Sequence, residues 1–264
     1  MAKTQKELAF LRDLYVQEEW TQRFTELVDK YIDLSDSENL LYINAGTGTH
    51  ALMIDEKHGE KIDVFASCEN EDLLAIARDK GLAVKAGVDF SAMRFEDDAF
   101  DAVVSDATFV RPEEVVDAIA DAARVARTGG DVAVFIPSAG SYGEVFSVLW
   151  EVLFNENLGE DGAIIEKLVA NLPTTGKLEE IAERSGMVNI HTETVLEAFD
   201  FENGAAFVAS PLVADFLLPI WLAEIDEDEK ELVAEKLAQL IDVEDADLSF
   251  RFSVKATLLT GEKE

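Results

Sequence analysis

Apolar positions at Leu8, Leu11, Leu14, Tyr15, Phe24, Leu27, Val28 and Tyr31 recur at helical spacing among charged residues and predict one or two leading helices over residues 5–32. A polar stretch, Leu34 to Asn39, gives way to Leu40-Leu41-Tyr42-Ile43. This run is short, apolar and stopped by the glycine turn Asn44-Ala45-Gly46-Thr47-Gly48. It suits a parallel strand buried on both faces. Residues 49–56 return to a helical pattern, and the alternation then repeats. Strands are expected at Ile62–Ala66, Ala83–Ala86, Phe100–Ser105 and Asp131–Ile136, with helices at Glu71–Lys80 and Pro112–Arg127. Pro112 stands near the start of its helix and Gly129-Gly130 after its end, where proline and glycine belong.

The second half has a different character. Residues 141–170 read as mainly helical, Leu178–Ser185 as a short helix ended by Gly186, and Val188–Phe199 as an alternating strand. Ser210–Ile241 is helical again, interrupted by Pro219 and by the acidic run Asp226–Glu229, and Leu248–Leu259 alternates as a final strand. Strands alternating with helices imply right-handed crossovers and a sheet covered on both faces. The expected fold class is α/β: a Rossmann-like, doubly wound, mainly parallel sheet with an antiparallel edge strand, N-terminal helices and a helical insertion or lid. Residues 1–264 read as one elaborated domain, with N-terminal helices over 1–35, a cofactor-binding core over 36–140, and lid or cap regions over 141–186 and 203–244.

Composition supports a globular chain, with 48% hydrophobic and 29% charged residues. The charge balance changes the list of partners. Twenty-two basic residues against 55 acidic ones give a formal net charge of −33. Such a surface repels phosphates, which argues against nucleic acid and anionic membranes as partners. Cys68 is the single cysteine, so no intrachain disulfide can form. No apolar signal core is present near residue 1, and the apolar run Phe216–Ala223 is too short to span a bilayer. A cytoplasmic, soluble protein is expected, and a homo-oligomer is compatible with the chain.

The candidate chemistry lies at the glycine turn. In parallel α/β sheets ligands bind beyond the C-terminal strand ends, near the switch in strand order. Gly46 and Gly48 let the backbone turn tightly and approach a ligand without a Cβ in the way. Gly46-Thr47-Gly48-Thr49-His50-Ala51 also satisfies the dinucleotide fingerprint with Ala at its last position.

Four segments resemble the class I S-adenosylmethionine-dependent methyltransferases, particularly the small-molecule enzymes called type 11. Leu40 to Gly48 looks like their first motif, and Leu73 to Gly81 like the helix after their second strand. Gly87-Val88-Asp89-Phe90, followed by Arg94 to Ser105, is similar to their third and fourth strand region; Arg124 to Val132 resembles the turn before strand five. The resemblance implies S-adenosyl-L-methionine as cofactor. Asn44, Ala45, Gly46 and Gly48 would pass beside its methionine and ribose parts, and Asp89, flanked by Phe90, would accept from the adenine amino group. Tyr42 stands where the family has an acid, Asn44 replaces the first glycine, and Cys68 aligns with the ribose-binding carboxylate. Glu69, one residue on, reads either as the substitute for that carboxylate or as a solvated turn residue.

Asp106, Thr108 and Arg111 follow strand four and would line the acceptor side. Asp106 is the candidate base or orienting acceptor, and also a natural cap for the next turn. His50, His58 and His191 show no metal-ligand spacing, and no metal site is expected. Ser138 to Ser141 is a turn or pocket rim. Tyr15, Trp20, Tyr142, Phe146 and Trp150, together with Phe216, Leu217, Ile220 and Trp221, read either as core or as walls of an acceptor pocket. The expected function is methyl transfer to a small-molecule acceptor. Beside it stand a non-catalytic binding or assembly protein on the same fold, and an NAD(P)-dependent oxidoreductase.

Overall fold

The computed structural model describes residues 3–91, 95–158, 162–245 and 249–264. The chain enters through α1 (Gln5–Leu11), capped by Thr4, whose hydroxyl accepts from the Glu7 N–H while the Glu7 carboxylate accepts from the Thr4 N–H. A π-helical segment, Arg12–Thr21, continues it into α2 (Gln22–Tyr31). Strand and helix then alternate: β1 (Asn39–Ile43), α3 (Thr49–His58), β2 (Asp63–Ser67), α4 (Glu71–Val84), β3 (Asp89–Ser91), β4 (Phe100–Asp106), α5 (Val115–Val125) and β5 (Ala126–Pro137). After α6 (Gly143–Glu156), α7 (Ala163–Asn171) and α8 (Thr175–Arg184) come β6 (Met187–Phe201), α9 (Gly204–Ala209), a second π-helical segment (Leu212–Leu217), α10 (Leu218–Trp221), α11 (Glu227–Asp245) and β7 (Phe250–Lys263).

The strands form one sheet in the order β3-β2-β1-β4-β5-β7-β6. β1 to β5 are parallel, and β7 runs antiparallel between β5 and the edge strand β6. This is the expected Rossmann-like sheet with its antiparallel addition. Strand parity divides the core. Leu40 and Tyr42 join Val64, Ala66, Val104 and Phe135 beneath the N-terminal helices, while Leu41 joins Val103, Val132 and Val134 beneath α5 and α8. Within the expected lid regions, α8 packs on that second face through Leu178, Ile181 and Ala182. Strand order reverses between β1 and β4, so the glycine turn after β1 lies at the switch point.

Two boundaries differ from the sequence reading. Residues 83–86 are not a strand: α4 runs to Val84 and closes at left-handed Lys85, whose N–H donates to the Gly81 and Leu82 carbonyls, and β3 begins only at Asp89. The apolar pattern misled because Leu82 and Val84 are exposed helix residues rather than core. Gly129-Gly130 does not follow a helix end either. α5 stops at Val125 and the glycines lie in β5, where a Cβ on Gly130 would come 2.8 Å from the Phe100 carbonyl at a register shift against β4. Arg94 and Leu248 lie outside the described residues. Among the described residues, no helix is long and apolar enough to cross a membrane.

Candidate functional site at the switch in strand order

The turn after β1 is built from left-handed backbone. Asn44 (φ 57°), Gly46 (φ 58°) and Gly48 (φ 77°) all adopt positive φ. Asparagine tolerates this region better than most residues, and Asn44 Nδ2 also donates to the Asp106 carbonyl at 3.2 Å. The Ala45 N–H donates to the Ser67 carbonyl, tying the turn to the end of β2, and the Gly48 N–H closes it on the Ala45 carbonyl. Behind the turn sits Phe90. A Cβ on Gly48 would lie 2.7 Å from its ring.

Two carboxylates converge on this turn. Glu69, just past β2, accepts from the Gly46 N–H through Oε2 at 3.1 Å. Asp106, the last residue of β4, is buried; its Oδ1 accepts from the Thr108 N–H at 2.8 Å and from the Thr108 hydroxyl at 2.6 Å. Asp106 thus caps the following turn. Between the two acids lies Arg12, delivered by the first π-helical segment. Its Nη2 is 3.1 Å from Glu69 Oε1 and 3.3 Å from Asp106 Oδ2, and its guanidinium lies 4.5 Å from the Phe109 ring centre. The neighbouring Asp13 accepts from Lys80 Nζ at 2.6 Å, and Lys80 also donates to Thr49 Oγ1. A cleft of about 280 Å³ opens here, bordered by Arg12, Asn44, Glu69, Asn70, Asp106 and Phe216.

Residues 41–130 match the family model for a methyltransferase domain. The matched stretch runs from β1 through the glycine turn to the glycines of β5, so this part of the chain resembles a methyltransferase domain. Among solved structures it is similar to phosphoethanolamine N-methyltransferase 2 of Haemonchus contortus, solved with phosphomonomethylethanolamine and S-adenosylhomocysteine, at 16% identity and a TM-score of 0.57. That alignment covers 98% of this chain and 57% of the other, so the chain spans little more than half of that enzyme's length. It is also similar to the YcgJ protein of Bacillus subtilis (14% identity, TM-score 0.56, covering 92% and 99% of the two chains). The [4+2]-cyclase SpnF shares the fold at 22% identity and a TM-score of 0.52, with 93% and 82% covered. No curated protein sequence matches the chain.

Within this fold, the structure separates the residues that the sequence singled out. Asn44, Glu69 and Asp106 border the cleft, and Gly46 lies against it through Glu69. Cys68 instead joins the core of the first face, and burial pushes its thiol up to about 12, so it stays protonated. Parity explains this placement: Val64, Ala66 and Cys68 point one way, and Glu69 the other. Asp89 is exposed at the start of β3 and does not line the cleft, while the Phe90 ring is engaged behind Gly48 and beside Gly81. Tyr42 is buried, hydrogen-bonded at 3.1 Å to His50 Nδ1, and does not line the cleft. Ser138 and Ser141 are buried and held by Thr257 Oγ1 and the Lys255 N–H, and Arg111 pairs with Glu114 at the surface. Sequence reasoning missed Arg12, Asp13 and Lys80.

Burial pushes the Asp106 carboxyl up to about 6, against the opposing pull of Arg12 and the Thr108 hydrogen bonds, with Glu69 adding to the rise. The folded chain therefore holds a proton that an unfolded chain has released between about pH 4 and pH 6. This group's contribution to stability is full below that window, falls as pH rises through it, and is constant above. Carboxyl ¹³C NMR should show Asp106 titrating with a midpoint near 6. Arg12→Gln, which removes the opposing cation, should move the midpoint higher; an ordinary aspartate titration in the folded protein would contradict the assignment.

Proposed function

We propose that the protein is an S-adenosylmethionine-dependent methyltransferase acting on a small-molecule acceptor. The observation that carries this reading is the convergence of Glu69 and Asp106 on the glycine turn, at the C-terminal edge of the sheet and on the border of one cleft. The residues present fit the cofactor. Gly46 and Gly48 give the turn its left-handed backbone, and Glu69 supplies the carboxylate acceptor for two ribose hydroxyls that Cys68 cannot. Exposed Asp89 remains the partner proposed for the adenine amine. The cofactor itself supplies a methyl group already activated on a sulfonium, so the protein's principal task is positioning. Asp106 is placed to orient the acceptor's nucleophilic atom and to take its proton above about pH 6.

The acceptor side supports a small molecule. A narrow cavity of about 40 Å³ adjoins the cleft, with Val110 lining both. Its walls include Thr108, Ile136, Tyr142, Phe146, Leu217 and Trp221, and no charged side chain lines it. In a chain with a net charge of −33, that composition favours an acceptor presenting an uncharged, apolar face. The same charge supports a soluble, cytoplasmic setting without nucleic-acid or membrane partners.

The Arg12 ion pairs favour a second reading, in which the fold is kept for binding or assembly without catalysis, because a protein side chain already satisfies the cleft's carboxylates. Calorimetry with S-adenosylhomocysteine discriminates. Binding supports the cofactor site, and no heat at millimolar ligand overturns it; turnover of a supplied acceptor then separates enzyme from binding protein. Glu69→Ala should weaken S-adenosylhomocysteine about 10- to 150-fold, the equivalent of losing hydrogen bonds to a charged group. Cys68→Ala, which changes a core thiol, should alter affinity by less than about threefold. The reverse ranking would return the ribose to Cys68.

A further inference from the structure

Tyr142 stands where α6 begins, at 4% exposure, with its backbone in the left-handed region at φ 65°. Gly140 and Gly143 lie close by, yet the strained position itself carries a bulky ring. Strain of this kind persists where the surrounding structure over-determines it, and it concentrates at functional sites. The Tyr142 N–H donates to the Ser253 carbonyl at 2.8 Å, which fixes the residue to β7. Its ring packs among Trp20, Phe146, Trp221 and Phe252, with ring centres 5.1 to 6.4 Å away. A phenylalanine would fill that space equally well. The hydroxyl is what packing leaves unexplained, because it makes no hydrogen bond to any described residue: burial alone acts on the phenol, which it holds protonated and neutral.

Trp221, at 3% exposure and with its ring centre 5.1 Å from that of Tyr142, presents a second donor of the same kind. Its indole N–H likewise has no acceptor among the described residues. The polar side-chain atoms that the fold seals away without a partner are Trp20 Nε1, Thr21 Oγ1 and His50 Nε2. Neither the Tyr142 hydroxyl nor Trp221 Nε1 is among them, so each keeps open space beside it. Both residues line the narrow cavity of about 40 Å³ that adjoins the cleft. The other side chains of its wall are apolar except Thr108, whose hydroxyl already donates to Asp106 Oδ1 at 2.6 Å. The cavity therefore offers two uncommitted neutral donors and no charge. A hydrocarbon seated there would leave both donors unmade, and a carboxylate would lose its water without meeting a cation. An uncharged carbonyl oxygen has two lone pairs and accepts from both, whereas an indole N–H can only donate.

We propose that the Tyr142 hydroxyl and the Trp221 indole N–H form a carbonyl-binding subsite, and that the methyl acceptor is an apolar molecule carrying an uncharged carbonyl oxygen in the part seated in this cavity. The inference rests on the methyltransferase reading given above and names the chemical class of its acceptor. Thr108 links the two compartments, since it lines the cavity while its hydroxyl holds Asp106 on the border of the cleft. A molecule spanning both has its carbonyl end held by the aromatic pair and its reacting end beside Asp106. Sites built to hydrogen-bond a polar group of the substrate discriminate strongly against analogues that lack it.

The test titrates acetophenone, ethylbenzene and benzoate into the protein and follows the tryptophan indole N–H signals by ¹H–¹⁵N NMR. The three probes share a benzene ring and differ in presenting a neutral carbonyl, no polar atom, or a carboxylate. Acetophenone should bind about 5- to 100-fold more tightly than ethylbenzene, the equivalent of two neutral hydrogen bonds, and more tightly than benzoate. It should also move the Trp221 indole proton downfield, a signal assigned by its loss in Trp221→Phe. Tyr142→Phe keeps the ring, and should weaken acetophenone about 3- to 10-fold while changing ethylbenzene less than about twofold. Circular dichroism melting reports whether that variant is folded; if it is not, the Trp221 signal of the wild type decides. Equal binding of acetophenone and ethylbenzene, or equal loss of both in folded Tyr142→Phe, would make the pair packing residues. Tighter binding of benzoate, no binding of millimolar acetophenone, or an unmoved Trp221 signal at saturation would each overturn the inference. Calorimetry with S-adenosylhomocysteine separates the two readings. Ketone preference without S-adenosylhomocysteine binding keeps the subsite and removes its assignment to a methyl acceptor, whereas S-adenosylhomocysteine binding without ketone preference removes the subsite alone.

Discussion

Gly48→Val is expected to destabilise the fold by about 3–5 kcal/mol and to abolish detectable binding of S-adenosylhomocysteine, with backbone strain and overpacking each contributing about 1–3 kcal/mol. Gly48 holds φ 77°, and a β-branched residue there is a genuine outlier. A Cβ at this position would also lie 2.7 Å from the Phe90 ring and 3.0 Å from Ala77 Cβ, so the first added carbon already overlaps its neighbours. Phe90 cannot easily withdraw, since it is buried and its carbonyl is fixed by two hydrogen bonds from Arg78. The two costs separate in a double-mutant cycle. Phe90→Ala removes the ring and leaves the strain, so Gly48→Val should cost less in that background, with a coupling of about 0.5–3 kcal/mol by urea unfolding. Additive costs would mean that strain alone accounts for the loss, and a stable Gly48→Val protein that still binds ligand would contradict the placement of the turn.

The same turn shows what local sequence pattern reveals and where it stops. β1, β2 and β4 were legible because a parallel strand covered on both faces reads as an unbroken apolar run, and because a glycine turn closes the first of them. The Glu69 position was legible in principle. Val64, Ala66 and Cys68 alternate into the core, which leaves Glu69 on the opposite parity and free to meet the Gly46 N–H. The failure at residues 83–86 has the converse cause, since exposed Leu82 and Val84 carry apolarity without burial. Arg12 was not legible at all. It stands among charged helix residues and its role depends on Asp106, 94 positions away, so no local period marks it. Asp106 could be named as a candidate from its place at the end of a strand, but its elevated proton affinity comes from burial in the folded chain, which no local pattern marks.

Those N-terminal helices are held down by an aromatic cluster whose centre is Trp20, and Trp20→Ala is expected to cost about 3–5 kcal/mol, lowering the melting temperature by roughly 10 °C. Trp20 is fully buried and its ring centre lies 5.1 Å from that of Phe24, 5.3 Å from Phe199, 5.8 Å from Phe109 and 6.4 Å from Tyr142. It therefore joins the leading helix to β6, to the loop after β4 and to the start of α6. The size of the ring carries this stability, because the indole N–H has no hydrogen-bond partner among the described residues. Trp20→Phe should accordingly cost only about 1 kcal/mol, since the lost ring volume is offset by removing an unsatisfied buried donor. Phe109, which Trp20 supports, is also the floor beneath Arg12, so the alanine variant should weaken S-adenosylhomocysteine as well as the fold, and the phenylalanine variant should leave its affinity nearly unchanged. If Trp20→Phe proved as damaging as Trp20→Ala, the indole nitrogen would have to be making a contact that holds the helix, and the cluster's role in fixing Arg12 over the turn would rest on that contact rather than on packing.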